Sequence, residues 1–381
     1  MSVERPLNVA VVGACPFPVP QGSQVFLGDC ARMIRDAGHA AHLVVYGYAS
    51  GPDPEDLHIH RAWNPPWASR LEAGPSWAKP LQDAVLARRL RDVVRRERID
   101  IVDAHNYEAL IVAVLAGTRP LVYHAHNAMA DELPHFLGDR AGTALGRWLD
   151  RTWPRRADWV IAPHARLRDY LVECGCAPER ISVIPPSVDV RLFESVSKRV
   201  DRPPVLYAGN CDAYQNLGLL DAVMERVRRG IPGAELRIAT VAKRTPIPGT
   251  LIRTPDTASL DSVLREDSVF VCPRISWSGY PIKLLNAMAA AQAIVCCAGS
   301  AHPLTDEQDG LVVPDNDAEA FAEAVTRLLG DAGLRRRLGG NARRTAELNH
   351  LPAEIGRRTL DVYRRACTAS RPRHPFKGYR V

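Results

Sequence analysis

The sequence predicts two doubly wound α/β domains. Short apolar runs alternate with helical stretches along nearly the whole chain, which is the rhythm of parallel sheets with crossover helices. That rhythm resets near Pro185-Pro-Ser-Val-Asp189. A chain of 381 residues also exceeds one ordinary core and suits two domains of about 180 residues each.

In the first half, Asn8-Val-Ala-Val-Val-Gly13 reads as a strand, followed by a loop over 14–23 and a helix over 24–37. Residues 38–46 give a second strand. A basic helix over 83–98 precedes strands at 99–105 and 120–126, and the series continues at 157–163 and 181–185. The polar stretch 194–204 reads as a linker. The second half repeats the architecture, with strands near 205–209, 235–240, 268–273, 293–297 and 311–313. The predicted domains are 1–189 and 190–351, with a terminal helix and tail over 352–381. By analogy with two-domain folds of this kind, the helices after Ala318 and Pro352 are both expected to cross back to the first domain.

Hydrophobic content of 46% and charged content of 24% are those of a folded soluble protein. No run of about 20 apolar residues suggests a membrane span, and Met1-Ser-Val-Glu-Arg-Pro-Leu-Asn8 lacks a signal-peptide core. Nine cysteines, an odd number without framework spacing, indicate a reducing cytoplasm. Cys174, Cys176, Cys296 and Cys297 are expected to be ordinary apolar packing. The net charge is +6, and arginine is concentrated at 87–98, at 151–156 and in the C-terminal tail. These read as solvated faces. Without interleaved aromatics they do not point to nucleic acid; an anionic membrane is the alternative.

The most informative segment is Ser278-Gly-Tyr-Pro-Ile-Lys-Leu-Leu-Asn286-Ala-Met-Ala-Ala. It follows the apolar strand at 268–273, opens a helix over 282–292 and leads into the strand at 293–297. A strand, a glycine turn and a helix start gather free backbone N–H groups and the positive end of a helix dipole, which suits a phosphate or a polar sugar. Pro281 is expected at the first helical position.

This pattern resembles the glycosyltransferases of the GT-B fold, specifically the large retaining family 4. Their segment reads Glu-Gly-aromatic-Gly, four residues, then Glu-Ala-Met-Ala. The resemblance runs from Pro16-Phe-Pro-Val-Pro-Gln-Gly-Ser23 to about Arg344 and implies two Rossmann-like domains. The family's two glutamates fall at Ser278 and Asn286. The resemblance implies that Ser278 meets the donor sugar and Asn286 the ribose hydroxyls, with Gly279, Tyr280, Pro281 and Ile282 lining the donor site between them. Gly22 matches the family's first-loop glycine, and Gln21 and Ser23 beside it are candidate acceptor contacts. His126 matches the family's histidine near the reacting carbon; Asn127 and His105 are assigned to the acceptor side. His124 is expected on the opposite strand face, as a satisfied core histidine.

Family members also carry Gly-Arg and a following Lys that clamp the donor diphosphate. Here the stretch reads Tyr207-Ala-Gly-Asn-Cys-Asp-Ala-Tyr-Gln-Asn216. Gly209 keeps its place, Asn210 replaces the arginine, and Gln215 or Asn216 replaces the lysine. A leaving diphosphate gains negative charge, so substitute cations are needed. Lys283 is the first candidate and Arg274 the second; Lys243-Arg244 lie at another strand end. Asp315-Asn-Asp317 has metal-binding spacing, but Asp317 reads as a helix N-cap. His58-Ile-His60 reads as strand surface. No G-x-G-x-x-G opens a helix and no P-loop is present.

The resemblance therefore implies a cytoplasmic retaining transferase that moves a sugar from a UDP- or GDP-sugar to a small acceptor, such as a cyclitol or natural-product intermediate. No metal and no cofactor are expected, the nucleotide sugar being a co-substrate. The alternatives are a sugar-nucleotide epimerase of the same fold, a non-catalytic sugar-nucleotide-binding partner, and a transferase acting on a membrane glycolipid.

Overall fold

A computed structural model describes residues 5–19, 22–65, 67, 78–194, 200 and 202–369. Strands β1 (Asn8–Gly13), β2 (Ala40–Val45), β3 (His58–Arg61), β4 (Ile101–His105), β5 (Leu121–His124), β6 (Trp159–Ala162) and β7 (Ile181–Val183) form one sheet in the order β3-β2-β1-β4-β5-β6-β7. All its pairings are parallel. The helices of this half are α1 (Gly22–Asp36), α2 (Lys79–Arg96), α3 (Asn106–Ala116), α4 (Met129–Glu132), α5 (Pro134–Leu137), α6 (Asp139–Thr152) and α7 (Ala165–Glu173).

Strand β1 shows why the sheet is parallel and central. Val9 and Val11 pack into the core formed with α1, while Ala10 and Val12 pack into the opposite core with α2 and α3. A strand buried on both faces reads as a continuous apolar run.

The second sheet contains β8 (Val205–Ala208), β9 (Leu236–Thr240), β10 (Thr250–Arg253), β11 (Val269–Cys272), β12 (Ala293–Cys297) and β13 (Leu311–Val313), in the order β10-β9-β8-β11-β12-β13. It too is parallel throughout. Its helices are α8 (Leu217–Gly230), α9 (Thr257–Leu264), α10 (Ile282–Ala289), α11 (Ala318–Gly330) and α12 (Ala332–Asn349). Val188 and Leu192, before the linker, already pack into this half.

The helix from Ala318 does not cross back. Phe321, Ala322, Val325 and Leu328 of α11 pack with Leu220, Val223, Met224 and Val227 of α8, so two matching apolar faces hold it on the second sheet. The return is made by α13 (Pro352–Ala369) alone. Its Ile355, Leu360, Val362 and Tyr363 join Val9, Val11 and Ile34 in the first domain. His350 marks the crossing. Its backbone carbonyl accepts from Val188 N at 3.0 Å, and its Nδ1 lies 2.7 Å from the Pro186 carbonyl.

Each sheet reverses its strand order beside its first strand, between β1 and β4 and between β8 and β11. Open α/β sheets bind ligands outside the carboxyl ends of their strands at such points. Loops from those ends meet across the domains, where residues after β5 and β6 touch the loop after β11.

Candidate functional site

The second domain supplies two cations. Lys283, in the first turn of α10, donates from Nζ to Asn210 Oδ1 at 3.1 Å and lies 5.6 Å from the centre of the Tyr207 ring. It runs directly over Gly209, whose φ of 152° favours glycine and where a Cβ would collide with the lysine side chain. Burial pushes the Lys283 ammonium down to about 8; Arg274 adds to that, and Cys272 and Asp212 oppose it. Arg274 extends from the end of β11 over the Tyr214 ring, 5.5 Å from its centre, and donates to Ser276 Oγ at 2.9 Å. It lies against Gly279, where a Cβ would press on the guanidinium.

Asn210 organises the loop beneath this pair. Its Oδ1 accepts from Lys283 and from Gln215 Nε2 (2.7 Å), and its Nδ2 donates to Tyr214 Oη (2.9 Å) and to Asp212. Gln215 is therefore part of the cation platform. Asn216 is not. It adopts a left-handed φ of 56° and donates to the Pro273 carbonyl and to Asn316, so it braces the loop after β11.

The first domain supplies a chain of histidines under Phe26 of α1. The Phe26 ring lies 5.6, 5.1 and 5.2 Å from the rings of His105, His124 and His126. This corrects the expected opposite faces for His124 and His126. Strand β5 ends at His124, and residues two apart share a strand face rather than alternate. Both histidines therefore face Phe26. His105 is 2% exposed and both its ring nitrogens are engaged, Nε2 with Asp103 Oδ2 at 3.1 Å and Nδ1 with His126 Nε2 at 3.2 Å. It supports His126 instead of contacting an acceptor.

Asp103 anchors that chain. Its Oδ2 accepts from the Tyr363 hydroxyl (2.6 Å), His105 (3.1 Å) and His124 Nδ1 (3.3 Å). Burial raises a carboxyl pKa, but the neighbouring His105 and His124 outweigh it and hold Asp103 well below the usual range. Burial drives His126 well below its ordinary value, and His105 and His124 add to that. With Asp103 ionised, the network assigns the protons. His105 donates from Nε2 and accepts at Nδ1, so His126 donates from Nε2 and keeps its Nδ1 lone pair. Cys30, Asp103, His105 and His124 each offer one ligand atom, all within 4.8 Å of one another, a donor set of the types zinc uses. Asp103 Oδ2 is already the acceptor of the Tyr363 hydroxyl.

Between the two groups runs a seam that sequence reading missed. Asp131 of α4 accepts at Oδ2 from Ser276 Oγ (2.6 Å), Ser278 N (3.1 Å) and Ser278 Oγ (2.6 Å). His164, the N-cap of α7, accepts from Leu167 N at Nδ1 (3.1 Å), so its Nε2–H donates to the Ser278 carbonyl at 3.0 Å. Burial lowers the His164 pKa to about 4, with His302 stacked on its ring contributing, so it is neutral at neutral pH. The sequence signal for Asp131 was its place on a short acidic helix just after His126-Asn127, opposite a motif position without a carboxylate.

The remaining candidates divide. Asn286 makes no side-chain hydrogen bond among the described residues and shares a helix face with Lys283 three positions earlier. Ser278 is fully buried with its hydroxyl given to Asp131, so it does not offer that hydroxyl to a sugar. The Tyr280 hydroxyl is engaged with His350 Nε2 at 3.2 Å, which places it at the interdomain crossing instead of the donor pocket. Pro281 is the N-cap, not the first helical residue, and α10 begins at Ile282, which is partly buried. Asn127 donates to Glu132, and its Oδ1 is buried without a partner. Gly22 and Ser23 open α1, exposed, one turn before Phe26; Gln21 lies outside the described residues. Asp317 caps α11 by accepting from Glu319 N and Ala320 N. His60 stacks on His42 at the sheet edge, and all nine cysteines are free thiols.

Two family models match the chain. Glycosyltransferase Family 4 covers residues 20–192 and Glycosyl transferases group 1 covers residues 202–331. Among curated proteins, alpha-maltose-1-phosphate synthase of Mycolicibacterium smegmatis is 26% identical, with 74% of this chain and 83% of that protein aligned. D-inositol 3-phosphate glycosyltransferase of Kineococcus radiotolerans is 25% identical over 70% of this chain and 72% of its own. Among solved structures, sucrose-phosphate synthase from Thermosynechococcus elongatus superimposes with a TM-score of 0.79 at 17% identity, covering 96% of this chain and all of that one (100%). Anabaena HepE in complex with UDP-glucose gives 0.71 at 14% identity, covering 94% and 100%.

Proposed function

The chain belongs to the family 4-like glycosyltransferases of the GT-B fold, and from that premise we propose that it is a retaining, metal-independent enzyme moving a sugar from a UDP- or GDP-sugar to a small polar acceptor. The observation that carries this reading is the pair of cations made by Lys283, in the first turn of α10 above Gly209 and Asn210, and Arg274, at the end of β11 against Gly279. A nucleoside diphosphate laid along the turn meets both cations and the start of a helix. They stabilise the charge that grows on the leaving phosphate as the bond to the sugar breaks. Neutral His126, facing from the other domain, keeps an acceptor nitrogen for a sugar hydroxyl. Attack then occurs on the face the diphosphate leaves, and the protein contributes positioning and charge more than acid–base chemistry.

UDP-glucose is the first donor to test, because HepE holds it in the same fold. The names of the curated relatives, a maltose phosphate synthase and an inositol phosphate transferase, favour a phosphorylated sugar or cyclitol as acceptor. A glycolipid acceptor is the second reading. It is favoured by Phe136, Leu137, Leu145 and Trp148, exposed on α5 and α6 next to the α4 helix that carries Asp131. None of the helices among the described residues is long and apolar enough to cross a membrane.

The test is a thermal-shift panel of UDP-, GDP- and dTDP-sugars, followed by proton NMR of the products with and without EDTA. A stabilising donor, a product that keeps the donor's anomeric configuration and EDTA-insensitive turnover support the reading. An isomerised nucleotide sugar, an inverted product or binding without turnover overturns it.

A further inference from the structure

We propose that Asp131 is the donor-sugar carboxylate of this protein, delivered from the first domain onto the second; this rests on the transferase reading above. Position 278 carries only a serine, and that serine binds no ligand group, since its hydroxyl and its backbone N–H both point into Asp131 Oδ2. Ser276 Oγ supplies a third donor to the same oxygen. Three donors on one oxygen hold a carboxylate in a fixed orientation.

The other oxygen, Oδ1, makes no hydrogen bond among the described residues, and it is not one of the sealed, unpaired polar atoms of the interior. A carboxylate oxygen left open beside a cation pair accepts hydrogen bonds well, and a sugar offers hydroxyl donors to it. The placement is right for that role. Arg274 is one hydroxyl away, through Ser276, and Arg274 and Lys283 hold the diphosphate end of the donor. His126 precedes Asp131 on the same connection. The sugar, one bond from the diphosphate, thus lies between the cations and Asp131.

Because Asp131 and Ser278 lie 147 residues apart, in different domains, the carboxylate reaches this position only when the domains are closed. Nucleoside diphosphate binding needs the second domain alone, whereas reading the sugar needs both.

The experiment compares wild type with Asp131→Asn, Asp131→Ala and the double variant Asp131→Ala/Ser278→Glu. It measures affinity for UDP and for UDP-glucose (or the donor chosen by the panel), together with kcat/KM. The expected result is UDP affinity within about threefold of wild type in all four proteins. UDP-glucose affinity should fall at least about tenfold in both single variants, the loss of a charge-assisted hydrogen bond. The double variant, with its carboxylate built on position 278, should recover most of that loss. If UDP and UDP-glucose weaken together and Ser278→Glu rescues neither, Asp131 is only a strap between domains. Unchanged UDP-glucose affinity in Asp131→Ala, with wild-type turnover intact, overturns the role of Asp131 but not the transferase reading. A wild type that neither binds nor turns over any donor overturns that reading, and this proposal with it.

Discussion

Lys283 is held where burial opposes its charge, and that makes its role measurable. With its pKa near 8, the ammonium is mostly present at neutral pH and is lost as the pH rises through that value. The pH dependence of kcat/KM follows groups on the free enzyme, so kcat/KM should fall above pH 8, while a Lys283→Arg enzyme should stay flat to higher pH. Lys283→Ala should lower turnover at least about a hundredfold, the usual scale for removing one transition-state donor; a change below about threefold removes it from the diphosphate site. Gly209→Ala tests the same point from beneath. A Cβ there collides with the lysine, so the variant should lose turnover and UDP affinity together. If it keeps both, the lysine does not need its present path. At this scale the sequence revealed the cations, because their spacing from a glycine turn is local. It did not reveal Asp131 or Asp103, whose partners are brought near only by folding. The face of His124 was misread through an error in strand phase.

Helix α10 connects single residues to the fold. Leu284, Leu285, Ala287 and Met288 are buried against the sheet, which leaves Lys283 and Asn286 together on the half-buried face. If Asn286 holds the ribose hydroxyls, Asn286→Ala should weaken free UDP as well as the whole donor. Asn286→Glu should be tolerated, since a carboxylate accepts the same hydroxyls. Equal affinities in wild type, Ala and Glu variants, measured by calorimetry, would remove Asn286 from the site. Most elements were legible because each central strand is buried on both faces and so reads as an apolar run. Their ends were read one or two residues too long, where apolar or proline residues continue past the last ladder bond. Strand β10 (Thr250–Arg253) was not foreseen, since an edge strand with exposed polar ends and only two apolar residues between them carries no such run. The fate of α11 was misjudged because helical spacing shows an apolar face but not the helix it will meet.

The whole molecule places its C-terminal helix beneath the histidines of the first domain. Helix α13 brings the Tyr363 hydroxyl to Asp103 across 260 positions of sequence, and Arg358 of the same helix donates to the Val183 carbonyl. Helix α13 therefore contributes to the site at a distance, through Asp103, His105 and His126. Tyr363→Phe removes one donor from a fully buried carboxylate and leaves a cavity no larger than an oxygen. Leaving a buried acceptor short of a partner costs about 1–3 kcal/mol, a drop of a few degrees in the melting temperature of a domain this size. Asp103 would then hold its two histidines less firmly, and His126 would spend less time with its Nδ1 lone pair presented. Turnover should fall severalfold. Affinity for UDP should not change, because its cations stand on the other domain and no bond in this network reaches them. That split separates a positioning role from a structural one. A variant that melts earlier but turns over normally makes Tyr363 a core residue only, whereas one that loses UDP affinity in step with stability shows that the two domains do not respond independently to the end of the chain.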